Sequence, residues 1–132
     1  MKAWIKDNVD LALLDAWNIL HPAVDVGDGK DTFLSLAADL KSGKKILWVT
    51  AEEGVITSAL ITWVEGYSNH KRMVIGYAGG DLEDMRTIYP DIEDWAKAEE
   101  CKAIEVYGRR GWSRVGREHG YDEIATISRK WL

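Results

Sequence analysis

Tyr77-Ala78-Gly79-Gly80-Asp81-Leu82 is the stretch on which the reading of this 132-residue chain turns. Ahead of it, Arg72-Met73-Val74-Ile75-Gly76-Tyr77-Ala78 has the composition of a strand. Behind it, Leu82, Met85, Ile88, Ile92, Trp95, Ala96 and Glu99 recur at helical spacing from about Asp81 to Glu100. A strand that enters a helix through paired glycines brings backbone N–H groups to a helix start, where partial positive charge gathers. The junction is therefore a candidate anion site as well as a fold marker. Gly76, inside the strand, is where a bulge or a close backbone approach is expected. Pro90 kinks the helix or divides it in two.

Upstream, Lys45-Ile46-Leu47-Trp48-Val49-Thr50-Ala51 and Val55 to Val64 are rich in strand formers and are joined by Glu52-Glu53-Gly54, which reads as a tight antiparallel hairpin. A looser turn over Gly66-Tyr67-Ser68-Asn69-His70-Lys71 leads into the third strand of a meander. Nearer the start, Lys2 to Lys6 is a short strand and Asp7 or Asn8 caps a first helix. Its apolar face is Val9, Leu13, Ala16, Trp17 and Leu20, and His21-Pro22 ends it. Asp25 to Lys30 reads as a solvated loop, with Asp31 or Thr32 opening a second helix that stops near Ser42-Gly43. Downstream, Ala103 to Tyr107 is a strand, Arg109 to His119 is an amphipathic helix capped by Gly120, and Asp122 to Leu132 alternates as a closing strand.

Length and a 46% hydrophobic content fit a single domain over residues 1–132. No apolar run approaches the roughly 20 residues that cross a bilayer, and Met1 to Asp7 has no signal-peptide core, so a cytoplasmic protein is the expectation. Cys101 is the sole cysteine, which leaves no internal disulfide and no cysteine zinc cluster; it reads as a small hydrophobe late in a helix. Asp25, Asp28 and Asp31 lack the spacing and terminal glutamate of a calcium loop. His21, His70 and His119 have no partner at metal or triad spacing, and no Gly-x-Ser-x-Gly elbow occurs, so no metal site and no serine hydrolase is expected.

A net charge of -5 disfavours general nucleic-acid binding. The sign is uneven, however: Asp81 to Glu105 is strongly acidic, while Arg109, Arg110, Arg114 and Arg117 cluster just after it. These arginines suit coenzyme phosphates, a nucleic-acid backbone or an acidic protein patch, and Trp112 among them could stack on a base or adenine ring. Seven tryptophans recur about once per element; most belong to the core, with one or two left for a groove or partner surface.

Strand, two helices, three antiparallel strands, helix, strand, helix, strand resembles the order of the GNAT acyltransferase superfamily. The sharpest local likeness runs from Ile104-Glu105-Val106-Tyr107-Gly108-Arg109-Arg110-Gly111-Trp112 to Glu118-His119-Gly120-Tyr121, which is also similar to small GNAT-like proteins of tailed bacteriophages. The resemblance implies an α/β (α+β) fold with a central mixed, mostly antiparallel sheet flanked by helices. It also implies acetyl-CoA or another acyl-CoA as cofactor, bound in an opening between the fourth and fifth strands. The amine acceptor would be a small molecule or a protein. If phage-borne, the chain would work in the host cytoplasm.

On that resemblance Tyr77, Ala78, Gly79 and Gly80 hold the cofactor, with Arg109, Arg110 and Trp112 beside its phosphates. Tyr107 and Glu105, the polar side chains nearest the opening, are the catalytic candidates. Two features depart from the pattern. Asp81, Glu83 and Asp84 follow the glycines where a pyrophosphate would sit, and like charges repel by about 1 kcal/mol per close pair even in water. The closing-helix position that commonly carries a proton-donating tyrosine, counted back from Tyr121, is Gly116. The alternative is a catalytically inactive GNAT-like module that binds a protein or nucleic acid. An uncovered edge strand makes a homodimer reasonable.

Overall fold

The computed structural model describes residues 1–27, 29–108, 116–125 and 127–132. Its elements are β1 (Lys2–Ile5), α1 (Val9–Val26), α2 (Phe33–Ser42), β2 (Lys45–Glu52), β3 (Val55–Gly66), β4 (Lys71–Gly80), α3 (Leu82–Ala98) and β5 (Cys101–Val106). The strands form one sheet in sequence order, antiparallel from β1 to β4, with β5 joining β4 in parallel through α3. This is the mixed, mostly antiparallel sheet flanked by helices that the resemblance implies.

Period-two alternation divides the sheet residues between two apolar layers. Leu47, Val49, Ala59, Ile61 and Tyr77 pack under α1 and α2. Ile46, Trp48, Leu60, Met73 and Ile75 face the α3 side with Met85, Ile88, Ile92 and Ala96. Trp4, Trp48 and Trp95 meet there with ring centroids 5.6 to 6.4 Å apart, and the Trp48 indole N–H is satisfied by Thr62 Oγ1 at 2.9 Å. The β2–β3 turn is tight because Glu53 and Gly54 both take positive φ, 51° and 79°, which matches the twist of a two-residue hairpin.

Several expectations are corrected. α1 does not end at His21-Pro22 but runs to Val26 with Pro22 inside it. The buried stripe Val9, Leu13, Ala16, Leu20 extends by one more i+4 step to Val24, and that burial helps offset the proline's lost hydrogen bond. Asn8 is the cap residue of α1, yet it lies in the left-handed region and makes no side-chain cap. Thr32 caps α2 through a reciprocal box with Ser35. Pro90 leaves α3 a single helix. Cys101 opens β5 rather than ending a helix, because Glu99 and Glu100 stop α3, Glu100 at φ 61°.

The closing strand is also corrected: Asp122–Ala125 and Ile127–Leu132 carry no strand. Alternation gives a segment two faces, but pairing requires an edge to meet. Of the expected helix from Arg109, Gly116–Glu118 is helical and Gly120 follows at φ 85°; Arg109–Val115 lie outside the described residues.

Candidate functional site

Strands β4 and β5 part company midway. Their parallel register ends at Ile75↔Val106, closed by the Tyr107 N–H donating to the Ile75 carbonyl at 3.0 Å, while β4 continues to Gly80. Ile75 therefore turns its backbone to β5. On the other side Asp81 N–H donates to the Thr57 carbonyl at 2.9 Å, and the register runs Gly80↔Ser58, Gly79↔Ala59, Ala78↔Leu60, Tyr77↔Ile61. Successive residues of an antiparallel ladder face alternate neighbours. Tyr77 and Gly79 thus bond to β3, and Ala78 and Gly80 turn their N–H and C=O groups away from it, toward the fork. Among the described residues no strand meets that edge.

A bulge makes both facings compatible. The register shifts between Ile61 and Thr62, leaving Gly76 as the extra residue. A Cβ there would lie 1.9 Å from Trp63 Cη2, so the indole rests on the bare backbone at the point where the strands diverge. This is the close approach expected of Gly76.

The paired glycines have reasons of their own. A Cβ on Gly79 would lie 2.3 Å from the Ile19 carbonyl of α1, and Gly80, at φ +96°, would press a Cβ to 2.3 Å from the Thr57 carbonyl. Both are demanded by backbone packing before any ligand is considered. Asp81 caps α3, its Oδ1 accepting from the Asp84 N–H at 3.0 Å. The helix start expected to face an anion thus already holds a carboxylate of its own.

Tyr77, expected beside the cofactor, points elsewhere. Its side chain is 6% exposed under α1, and its hydroxyl donates to Asp31 Oδ2 at 2.6 Å. Asp31, one of the two residues expected to open the second helix, also accepts from Ser35 Oγ at 2.8 Å and Lys45 Nζ at 3.2 Å. Lys45 reaches Asp39 at 3.2 Å and lies 4.6 Å from the centre of the Trp63 ring. A shallow hollow of about 400 Å³ opens here, between Asp39, Lys45, Trp63 and Glu65.

Burial opposes ionisation of Asp31, but hydrogen bonds from Tyr77, Ser35 and Lys45 outweigh it and hold its carboxyl below the usual value. Burial and the same carboxylate push the Tyr77 phenol up. A depressed carboxyl stabilises the fold at every pH above its unfolded value, and the gain is lost as pH falls through the folded one. Asp31→Asn should therefore lower unfolding free energy by about 2 kcal/mol at neutral pH. The gap to the parent should narrow below about pH 4. Urea titrations across that range read both effects.

Glu105 and Tyr107 are brought together. Ile104 packs on the α3 side, so by alternation Glu105 and Tyr107 project from the opposite face, at the end of β5 where the fork opens. Glu105 accepts from Arg72 Nη1 at 3.3 Å, and Arg72 Nε donates to His70 Nε2 at 2.8 Å. The Arg72 guanidinium also stacks 4.7 Å from the centre of the Tyr67 ring. Tyr107 is 50% exposed. Its phenol is raised by burial and then by Tyr67, Glu105 and Glu65, against Arg72. Arg72, His70, Glu65 and Tyr67 escape a sequence reading, because only the parallel β4–β5 register sets Arg72 beside Glu105.

The other side of α3 receives the chain after Gly116. Arg86 Nη2 donates to Glu118 Oε2 at 2.8 Å, and the Tyr89 and Tyr121 hydroxyls meet. This places the acidic helix against the segment that follows the arginines. Arg109, Arg110 and Trp112, expected at the cofactor phosphates, lie outside the described residues. Among the described residues, no group of His, Cys, Asp and Glu has metal-binding geometry, and no helix is long and apolar enough to cross a membrane.

No protein-family model matches this sequence, and no curated protein matches it in sequence. Solved structures do match its fold. A GNAT family acetyltransferase from Staphylococcus aureus superposes with TM-score 0.66 at 19% identity, over 100% of this chain and 98% of that one. An acetyltransferase from Trypanosoma brucei gives 0.73 at 10%, over 100% and 99%. An aminoglycoside acetyltransferase from an uncultured soil metagenomic sample, solved with sisomicin, gives 0.72 at 11%, over 100% and 96%. At these identities the likeness is one of fold, and it extends over the whole chain.

Proposed function

We propose that this chain is an acyl-CoA-dependent N-acyltransferase acting on a small-molecule or protein amine. The fold it shares with acetyltransferases supports this reading. The single observation that carries it is the fork: β4 runs on past its last pairing with β5 and turns the backbone of Ala78 and Gly80 outward. Those groups fit an extended, amide-bearing arm or a phosphate, which a coenzyme A thioester presents. The cofactor supplies an activated acyl group whose C–S bond breaks as the acceptor's C–N bond forms.

The chain's own residues handle the protons. Tyr107, at the fork with its phenol pushed up chiefly by burial, gives its Oη proton to the departing sulfur. Glu105 takes the proton the amine sheds and is oriented for it by Arg72. Arg109, Arg110 and Trp112 take the phosphate and adenine end. We place the activity in the cytoplasm, that of a bacterial host if the chain is phage-borne.

The capping of α3 favours a second reading, a GNAT-like module that binds a protein or nucleic acid without catalysis. Asp81 occupies the helix start, and Glu83 and Asp84 add like charge to any pyrophosphate there. A thermal shift with acetyl-CoA separates the two. Cofactor at about one hundred times its dissociation constant adds roughly 2.7 kcal/mol, several degrees in Tm for a domain of this size. No shift at millimolar cofactor would reject the enzyme. Asp81→Asn keeps a capping side chain and removes one charge. It is expected to tighten acetyl-CoA several-fold by calorimetry, with little change in Tm of the free protein.

A further inference from the structure

We infer, resting on the acyltransferase reading, that His70 is a positioning residue for the Glu105 base: it holds the Arg72 guanidinium against that carboxylate, and does so only as the neutral imidazole. The guanidinium is held from three directions. Its Nε–H donates to His70 Nε2 at 2.8 Å, its Nη1 donates to Glu105 Oε2 at 3.3 Å, and it lies 4.7 Å from the centre of the Tyr67 ring. Tyr67 in turn stacks on the imidazole, with ring centres 5.6 Å apart and planes 27° from parallel, and its N–H donates to the His70 carbonyl at 2.8 Å. The turn between β3 and β4 is thereby closed on itself and clamped to the one side chain that reaches Glu105 on β5.

One bond fixes the protonation state. A guanidinium has donors and no acceptor, so the imidazole nitrogen that faces Arg72 Nε carries a lone pair and the ring proton is on Nδ1. A second proton on that ring would set N–H against N–H and two cations side by side. Arg72 would then lose the contact that fixes the rotation of its guanidinium beside Glu105. Added positive charge there also favours the ionised Glu105 carboxylate, which weakens it as a base. Both changes act in one direction: transfer slows as pH falls. Only 17% of the Glu105 side chain and 32% of that of Arg72 are exposed, so solvent does little to level the effect of a further charge. Glu65 and Tyr67 face the pair from β3 and its turn, and Glu105 and Tyr107 from β5, all of them acting with Arg72 on the Tyr107 phenol. Lys71, next to His70 in sequence, alternates to the opposite face, where its charge acts on Cys101. A proton gained by His70 is thus felt first by the Arg72–Glu105 pair.

The test uses two variants of the full chain. His70→Gln offers Arg72 Nε a carbonyl oxygen that does not titrate, and His70→Ala offers nothing. With acetyl-CoA and a panel of primary amines, kcat should fall about 10- to 100-fold in His70→Ala, the cost of a misplaced catalytic group, and return to within about threefold of the parent in His70→Gln. KM for acetyl-CoA should hold within about twofold in both. The acid limb of the kcat profile should move to lower pH by at least about one unit in His70→Gln, because carboxyls in general lose their protons well below imidazoles. A merely structural turn would leave that limb in place. In the free protein, ¹⁵N NMR should show a coupling across the bond from Arg72 Nε–H to His70 Nε2 that vanishes as the imidazole protonates, and the Glu105 carboxyl carbon should shift in the same step. Absence of that coupling, or a Glu105 resonance blind to His70, overturns the inference even in an active enzyme. So does an acid limb unmoved in His70→Gln. Both NMR signatures in a protein that neither binds acetyl-CoA nor releases its thiol would instead reject the acyltransferase and still support His70 as the residue that positions Glu105.

Discussion

Replacing Gly80 with alanine is expected to cost at least about 3 kcal/mol of unfolding free energy, a large share of what a domain of this size holds. The residue sits at φ +96°, where an L side chain costs roughly 1–2 kcal/mol. A Cβ would also lie 2.3 Å from the Thr57 carbonyl and 2.7 Å from Ser58 Cα. Both are backbone atoms of the adjoining strand, so no rotamer change relieves the contact. Moving β4 away from β3 to relieve it stretches the 2.9 Å bond between Asp81 N–H and the same carbonyl and so loosens the cap of α3. Gly43→Ala is the control: Gly43 has φ +81° but nothing within 4 Å of its Cβ, so it should cost the conformational strain alone. Urea denaturation of the two variants separates crowding from strain. Equal losses would mean that the Gly80 backbone yields more easily than its neighbours suggest.

The same contact explains what the sequence could and could not reveal at the fork. Element order was legible from Val55 to Ala98 because each strand there borders a short turn and α3 has an unbroken apolar stripe. The hairpin at Glu53-Gly54 and the bulge at Gly76 were legible because glycine within a strand pattern has few uses. The paired glycines were legible as a junction, but their purpose was not. A sequence cannot distinguish a glycine that admits a ligand from one that admits the Ile19 carbonyl of a helix sixty residues earlier. Other misreadings have the same origin. Pro22 is a helix breaker until Val24 is seen to be buried, and Asp31 is a candidate helix cap until Tyr77 and Lys45 close over it. The expected last strand alternates in sequence, yet Asp122–Ala125 and Ile127–Leu132 carry no strand. Local pattern determines which elements form; contacts across the sheet determine what their polar residues do.

Tyr107→Phe tests the chemistry assigned to the fork, and its expected effect is a loss of 10²- to 10⁴-fold in kcat, about what one positioned proton donor contributes. KM for acyl-CoA should hold within about twofold, since the ring and the backbone N–H bonded to Ile75 both remain. Stability should move by no more than about 0.5 kcal/mol, because the phenol is half exposed. A pH profile supplies the readout that a merely structural role would leave unchanged. Burial, reinforced by Tyr67, Glu105 and Glu65, keeps the phenol protonated beyond its usual range. The parent's kcat should therefore show no loss from this group until the pH passes about 10, and the variant should lack that alkaline limb altogether. The departing sulfur must be protonated whichever amine attacks, so the loss should be similar for every acceptor tried. A Tyr107→Phe enzyme that kept full kcat and its alkaline limb would place the proton donor elsewhere and reduce Tyr107 to a strand residue at the mouth of the fork.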